Sequence, residues 1–204
     1  MKKFIAIVAF VAAMFVAGNA QAQLSVRFGY APETPTAKYT ILSPNGQYNG
    51  FFVGVHNNFD LKSGLQLSAG VQARMNIKNN ENTVLVTTKT SEQQLLVEVP
   101  ITLNYGIAFG KNVKVSPFVG PMVSFALNGK TKNFVGGVLD LTSDWYDNNS
   151  NLSRLNISVM GGVNLKYVRL SLFAGYQMGL LDLDKSDNVT LKTSGFFVGL
   201  GYDL

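Results

Sequence analysis

Between Leu65 and Ile77 the sequence LQLSAGVQARMNI alternates without a break. Leu65, Leu67, Ala69, Val71, Ala73, Met75 and Ile77 are apolar, while Gln66, Ser68, Gly70, Gln72, Arg74 and Asn76 between them are polar or glycine. A period of two sends successive side chains to opposite faces of an extended chain, so this stretch reads as a strand between an apolar and a polar medium. At ~3.3 Å per residue it spans roughly 40 Å, about twice the usual strand of a globular sheet. A tilted strand that crosses a bilayer and stands clear of it at both ends has that length.

The pattern recurs. Alternating stretches at about 24–31, 49–59, 65–77, 95–109, 113–127, 154–165, 168–178 and 193–204 make eight strands, joined by connections that alternate long and short. Short inner turns and long outer loops, with both termini on the inner side, are the asymmetry of outer-membrane barrels. Aromatics gather near the strand ends, with Phe59, Phe109 and Tyr202 at the inner side and Tyr30, Phe51, Phe125 and Tyr176 at the outer. They match the belts at membrane–water interfaces. The predicted fold is all-β, an eight-stranded antiparallel up-and-down transmembrane β-barrel over residues 23–204. Within it Asn57 predicts a bulge near His56–Asn58, and Pro117 and Pro121 predict a bulge or distorted stretch. Residues 78–94 read as a polar loop whose Val84, Leu85 and Val86 can prolong the hairpin, and 128–153 as the longest loop.

Residues 1–22 read as a secretory signal peptide: Lys2 and Lys3, an apolar core from Phe4 to Ala17, and the small-x-small site Ala20-Gln21-Ala22. The apolar core is too short for a spanning helix, which needs ~20 residues. Cleavage after Ala22 predicts export to the bacterial outer membrane of a Gram-negative cell envelope. The chain has no Cys, which excludes disulfides and thiolate metal sites. Removing Lys2 and Lys3 lowers the net charge from +5 to +3, too little and too scattered for nucleic acid.

The charges test the facing. Arg27, Arg74, Arg154 and Arg169 all fall on the polar parity of the assigned strands, as does Lys114. A guanidinium can be satisfied in a crowded polar interior, whereas a charge facing lipid at mid-bilayer costs ~2–4 kcal/mol. Eight strands enclose a lumen just wide enough for side chains, and Phe52, Phe118, Met122, Met160 and Phe173 fall on the inward parity. No open diffusion pore is expected.

The leader, the stretch Val115-Ser116-Pro117-Phe118-Val119-Gly120-Pro121 and the closing Gly195-Phe196-Phe197-Val198-Gly199-Leu200-Gly201-Tyr202 give the chain its family likeness. Over essentially the whole mature length it resembles the PorT-like outer-membrane β-barrel proteins of Bacteroidetes, often labelled "porin family". The resemblance implies an eight-stranded outer-membrane barrel and, for most members, no defined activity. The terminal Leu204 departs from the aromatic residue that closes many outer-membrane proteins.

Few residues offer chemistry. His56, the sole histidine, has Asn57 and Asn58 beside it and reads as a polar lumen residue. Asp182, Asp184 and Asp187 depart from a calcium-loop spacing and read as a solvated loop. Trp145 and Tyr146 are the candidate loop contact, either a patch for a partner or aromatics resting on the membrane surface. Arg74 and Glu98 are placed symmetrically about residue 86 and are expected to face each other across the hairpin or sit one pair apart, with Arg154 at the same level, as a lumen ion network that closes the top of the barrel. No catalytic residue, metal or cofactor is expected. Expected partners are outer-membrane lipid and lipopolysaccharide, the barrel-assembly machinery and an extracellular or envelope protein bound by the loops. Two other readings stay open: a barrel enzyme acting on lipid or peptide, and a soluble lipocalin-like barrel with its apolar faces inward.

Overall fold

Two media impose the alternation, and the backbone answers it with a closed ring. The computed structural model describes residues 22–38, 46–83, 87–136, 138–147, 150–185 and 190–204. Its strands are β1 (Ala22–Tyr30), β2 (Thr34–Lys38), β3 (Asn49–Asp60), β4 (Leu65–Thr83), β5 (Thr87–Tyr105), β6 (Ile107–Phe109), β7 (Val113–Val135), β8 (Val138–Asp144), β9 (Leu155–Tyr167), β10 (Leu170–Gly179) and β11 (Thr190–Asp203). Antiparallel pairing runs β1-β3-β4-β5-β7-β9-β10-β11, and β11 pairs back with β1. The ring is therefore eight-stranded and edgeless, so backbone donors and acceptors in the spanning region are matched between strands except beside its prolines. The signal peptide lies outside the described residues except for Ala22, which opens β1.

Facing follows the alternation. Val53, Val119, Val163 and Leu172 are 48–56% exposed on the outer wall, while their sequence neighbours Phe52 and Phe173 are 6–7% exposed inside. Large apolar groups open to the surroundings all round the ring exclude a soluble barrel of reversed facing. Tyr30, Phe51 and Phe196 cluster at one rim, with Tyr30 5.3 Å from Phe51 and 6.3 Å from Phe196 by ring centroid. Tyr105, Phe109, Tyr167 and Tyr202 lie exposed at the other.

The prolines act without a bulge. β5 and β7 keep one register from Leu96↔Ala126 to Asn104↔Phe118, but Ile101 and Thr102 lack partners opposite Pro121 and Gly120. The same register resumes in β6 at Ile107↔Val115, past the level of Pro117. Pro100 leaves a like gap between β4 and β5 at Gly70 and Val71. Each ring nitrogen lacks the N–H that its ladder needs on one side. On the other side the β7–β9 ladder runs unbroken through Pro117↔Val163 and Pro121↔Val159. The bulge predicted at His56–Asn58 is absent as well, since both ladders of β3 run without a shift.

Other expectations need correction at the strand ends. The hairpin of β4 and β5 is paired up to Thr83↔Thr87, so most of 78–94 is strand; residues 84–86 lie outside the described set. The predicted loop 128–153 starts as strand too: β7 continues to Val135 and turns back as β8. A bulge at Leu127, between Leu95↔Asn128 and Leu96↔Ala126, shifts the parity there. The turn between β9 and β10 is Val168-Arg169, with Val168 at φ 56°, so Arg169 lies exposed in a turn and not in a strand. Arg154 likewise precedes β9.

Candidate functional site

The lumen has two storeys. In the inner one, the rings of Phe52, Phe173, Phe118 and Phe197 stack in tilted pairs with centroids 6.1–6.5 Å apart. Glycines on neighbouring strands make room for them: a Cβ at Gly29 would lie 2.6 Å from the Phe52 ring tip, one at Gly175 2.5 Å from Phe197, and one at Gly199 2.5 Å from Phe173. The Arg27 guanidinium lies 5.5 Å over the Phe173 ring and donates to Asn58 Oδ1 at 3.2 Å. His56 is buried in this layer, 4% exposed, beside Gly70. At the inner rim Lys166 Nζ bridges Asp203 Oδ2 at 2.5 Å and Gln23 Oε1 at 2.9 Å, tying the last strand to the first.

Above the aromatic layer the lumen is closed by charge. Arg74, 2% exposed, pairs through Nη1 with Glu98 Oε1 at 3.2 Å and through Nη2 with Glu33 Oε2 at 3.1 Å. It also donates from Nη2 to the Ala31 carbonyl at 2.7 Å and from Nε to Asn76 Oδ1 at 3.0 Å. Glu98 accepts further bonds from Gln72 Nε2 at 2.6 Å and Ser124 Oγ at 3.3 Å; Glu33 accepts one from Asn76 Nδ2 at 2.8 Å. A buried ion pair is tolerable when its remaining bonding sites are satisfied in this way.

The structure thus joins Arg74 and Glu98, but not face to face. Arg74 stands opposite Leu96 and Glu98 opposite Gln72, so the two meet diagonally on the inner wall. Arg154 takes no part. It sits exposed one level up, donating to the carbonyls of Ala126 (3.3 Å), Leu127 (2.9 Å) and Tyr146 (3.0 Å) and stacking 4.7 Å over the Tyr146 ring. Three carbonyls at a strand entrance satisfy the guanidinium locally, and Glu33 takes the place expected for Arg154. Glu33 comes from the connection after β1, where no periodicity marks a residue as facing inward.

On this charged floor stands a chamber of about 260 Å3. Its walls are the upper parts of β4, β5 and β7 and the connections around β2, Tyr48 and Leu183. Trp145 and Tyr146, both partly buried, line it. Trp145 Nε1 donates to Thr131 Oγ1 at 2.7 Å, its ring meets Tyr48 edge-on at 6.1 Å, and Tyr146 Oη accepts from Gln94 Nε2 at 2.6 Å. The Tyr48 hydroxyl donates to Glu92, and Lys78 Nζ lies 5.2 Å over the Tyr48 ring. Burial raises the Tyr48 phenol well above its usual range, and the Glu92 carboxylate raises it further. Burial also raises the Tyr146 phenol, against the pull of Gln94 and Arg154. Asp182 is exposed and held below the usual carboxylate range by the backbone N–H of Leu191; Asp187 lies outside the described residues.

Among known proteins, a family model described as outer membrane protein beta-barrel domain matches residues 14–185. No curated protein sequence matches the chain. Ail, the attachment invasion locus protein of Yersinia pestis, is similar in structure at 14% identity and a TM-score of 0.49, over 90% of this chain and 99% of that one. A major outer membrane protein from Thermus thermophilus is similar at 16% identity and a TM-score of 0.44, over 90% and 99%. Neisserial surface protein A is similar at 16% identity and a TM-score of 0.41, over 90% and 97%.

Proposed function

From the premise that the chain belongs to the outer membrane protein β-barrel domain family, we propose that it is a non-conducting barrel acting as a structural or interaction protein through its outer hairpins. One observation carries this: the lumen is blocked twice, by the phenylalanine layer and by the Arg74 network, while β4, β5, β7 and β8 build a paired sheet beyond the outer aromatic belt. A barrel of this width has no other route through it. The sheet ends in β8, whose Val138 and Leu141 are 72% and 57% exposed and suit a protein partner. Lipopolysaccharide would surround the hairpins, and export by cleavage after Ala22 would bring the chain to the assembly machinery. The Val115–Pro121 and Gly195–Tyr202 stretches support the narrower assignment to a PorT-like member.

Planar-bilayer recording of the purified barrel tests the blocked lumen. No steady conductance is expected, and channel steps of general-porin size would overturn the proposal. A photo-cross-linking residue at Leu141 in intact cells tests the outer sheet. A discrete protein adduct there, absent when the cross-linker stands at Leu172 on the lipid wall, is the expected result.

A further inference from the structure

We propose that the outer chamber is a binding site for a small amphipathic cation, a primary amine carried on an aromatic or aliphatic body. The inference goes beyond the interaction role of the hairpins and would hold whether or not they meet a partner.

Charge comes first. Glu33 and Glu98 share the single guanidinium of Arg74, and Glu92 faces Lys78 at 4.0 Å. Among the described residues the chamber's own lining holds the carboxylates of Glu33 and Glu92 and the guanidinium of Arg154, with Arg74, Glu98 and Lys78 behind it, so carboxylates and cations number three each. The members are little exposed, 2% for the side chains of Arg74 and Glu98, 11% for Glu33, 9% for Lys78 and 18% for Glu92. Water and salt screen such a charge far less than they screen one at the surface. Arg154, the cation in the lining itself, pairs with neither Glu33 nor Glu92: three of its five N–H bonds go to backbone carbonyls and its guanidinium lies on the Tyr146 ring.

The hydrogen-bond inventory agrees. Both bonds to the Glu33 carboxylate converge on Oε2, which leaves Oε1 as an acceptor. Asn156, in the same floor, donates from Nδ2 to Thr193 Oγ1, but its buried Oδ1 has no partner. The floor is short of donors, and an ammonium group brings three. Above it the walls are aromatic and aliphatic, with Tyr48, Trp145 and Leu183 among them. The Tyr48 and Tyr146 rings already carry Lys78 and Arg154, and the apolar walls suit the body behind an ammonium group. The volume, about 260 Å3, lies just under the ~300–1,000 Å3 common for small-molecule pockets and limits the ligand to a small one.

Trp145 is the only tryptophan in the chain and stands in the chamber wall, so the protein reports on the site itself. The full mature barrel in phosphatidylcholine nanodiscs would be titrated with 2-phenylethylamine, with the neutral 2-phenylethanol and with anionic 3-phenylpropionate, following Trp145 emission. A saturable change with the amine is expected, with the alcohol at least about tenfold weaker, the scale of one charge-assisted hydrogen bond. Glu33→Gln and Glu92→Gln should each abolish the preference for the amine and leave the alcohol unchanged. Heat-modifiable gel mobility checks that each variant is folded. If Glu33→Gln does not assemble, Glu92→Gln, in the hairpin outside the membrane, decides alone. Equal affinity for amine and alcohol, tighter binding of the anion, an amine preference that survives in the folded variants, or no saturable change would each overturn the proposal.

Discussion

The two storeys of the lumen fill the same space by opposite means. The inner one is a packing problem, in which phenylalanine tips rest on glycine backbones. The outer one is a charge problem, in which Arg74 holds Glu33 and Glu98 at 3.1–3.2 Å and an open chamber is left above. Shape fills the barrel here to within a void of about 30 Å3, because rings and bare backbone interlock. Charge networks need room for partners and stay sensitive to any missing member. The inner storey is therefore built as the seal, and the outer one as the part able to receive something.

Removing the guanidinium is the strongest way to break this contrast. Arg74→Met leaves Glu33 and Glu98 buried without a counter-ion and is expected to cost about 3–5 kcal/mol. Urea unfolding followed by heat-modifiable mobility measures it. Adding Glu33→Gln and Glu98→Gln should recover much of the loss, because neutral amides leave no stranded charge. Glu98→Gln alone should be milder than Arg74→Met, since Arg74 still has Glu33. If the three changes add independently, the outer storey is not a network.

The inner storey breaks by overfilling. Gly199→Val brings a branched side chain to where a Cβ already lies 2.5 Å from the Phe173 ring tip. Phe173 is flanked by Phe52, Phe197 and the Arg27 guanidinium, with only a void of about 30 Å3 beside it. A loss of about 1–3 kcal/mol is expected, partly recovered by Gly199→Val with Phe173→Leu. The amine response of Trp145 should persist in this variant. A lost response would mean that the storeys are coupled, which would sharpen the comparison into a single unit.

The inner storey was far more legible in the sequence than the outer. Lipid outside and a crowded lumen inside force a period of two, so Phe52, Phe118, Met122, Met160 and Phe173 could be placed inward from parity alone. Arg74 and Glu98 were legible for the same reason, as strand residues in one hairpin. Beyond the membrane that constraint ends. β7 from Asn128 and all of β8 pair through backbone bonds in water, so NGKTKNFV and VLDLTSD carry no sustained alternation and read as loop. The Leu127 bulge then reverses parity and sends Gly129 and Thr131 to the side that Ser124 and Ala126 occupied. Glu33, Tyr48 and Trp145 reach the chamber from connections, where position is set by tertiary contact and no local pattern records it.

The smallest expected effect is one of pH, and it should touch only the outer storey. Tyr48 and Tyr146 both line the chamber, and burial raises both phenols above the usual value of 10.0. A phenol raised in the folded state keeps its proton there after the unfolded chain has begun to lose it. Its contribution is thus intact below pH 10 and is lost as pH climbs toward the folded value. At pH 11 both tyrosines are expected to have given up part of that contribution relative to neutral pH. Tyr48 should lose more, since the Glu92 charge adds to burial there, whereas Gln94 and Arg154 offset burial at Tyr146. Urea unfolding at pH 8 and pH 11 of the wild type, Tyr48→Phe and Tyr146→Phe measures the difference, and each variant should lose less stability on going to pH 11 than the wild type. Trp145 emission should shift over the same range, because its ring contacts Tyr48. If both variants follow the wild type, the chamber is open enough to solvate these hydroxyls, and the contrast between a sealed storey and a receptive one becomes larger than drawn above.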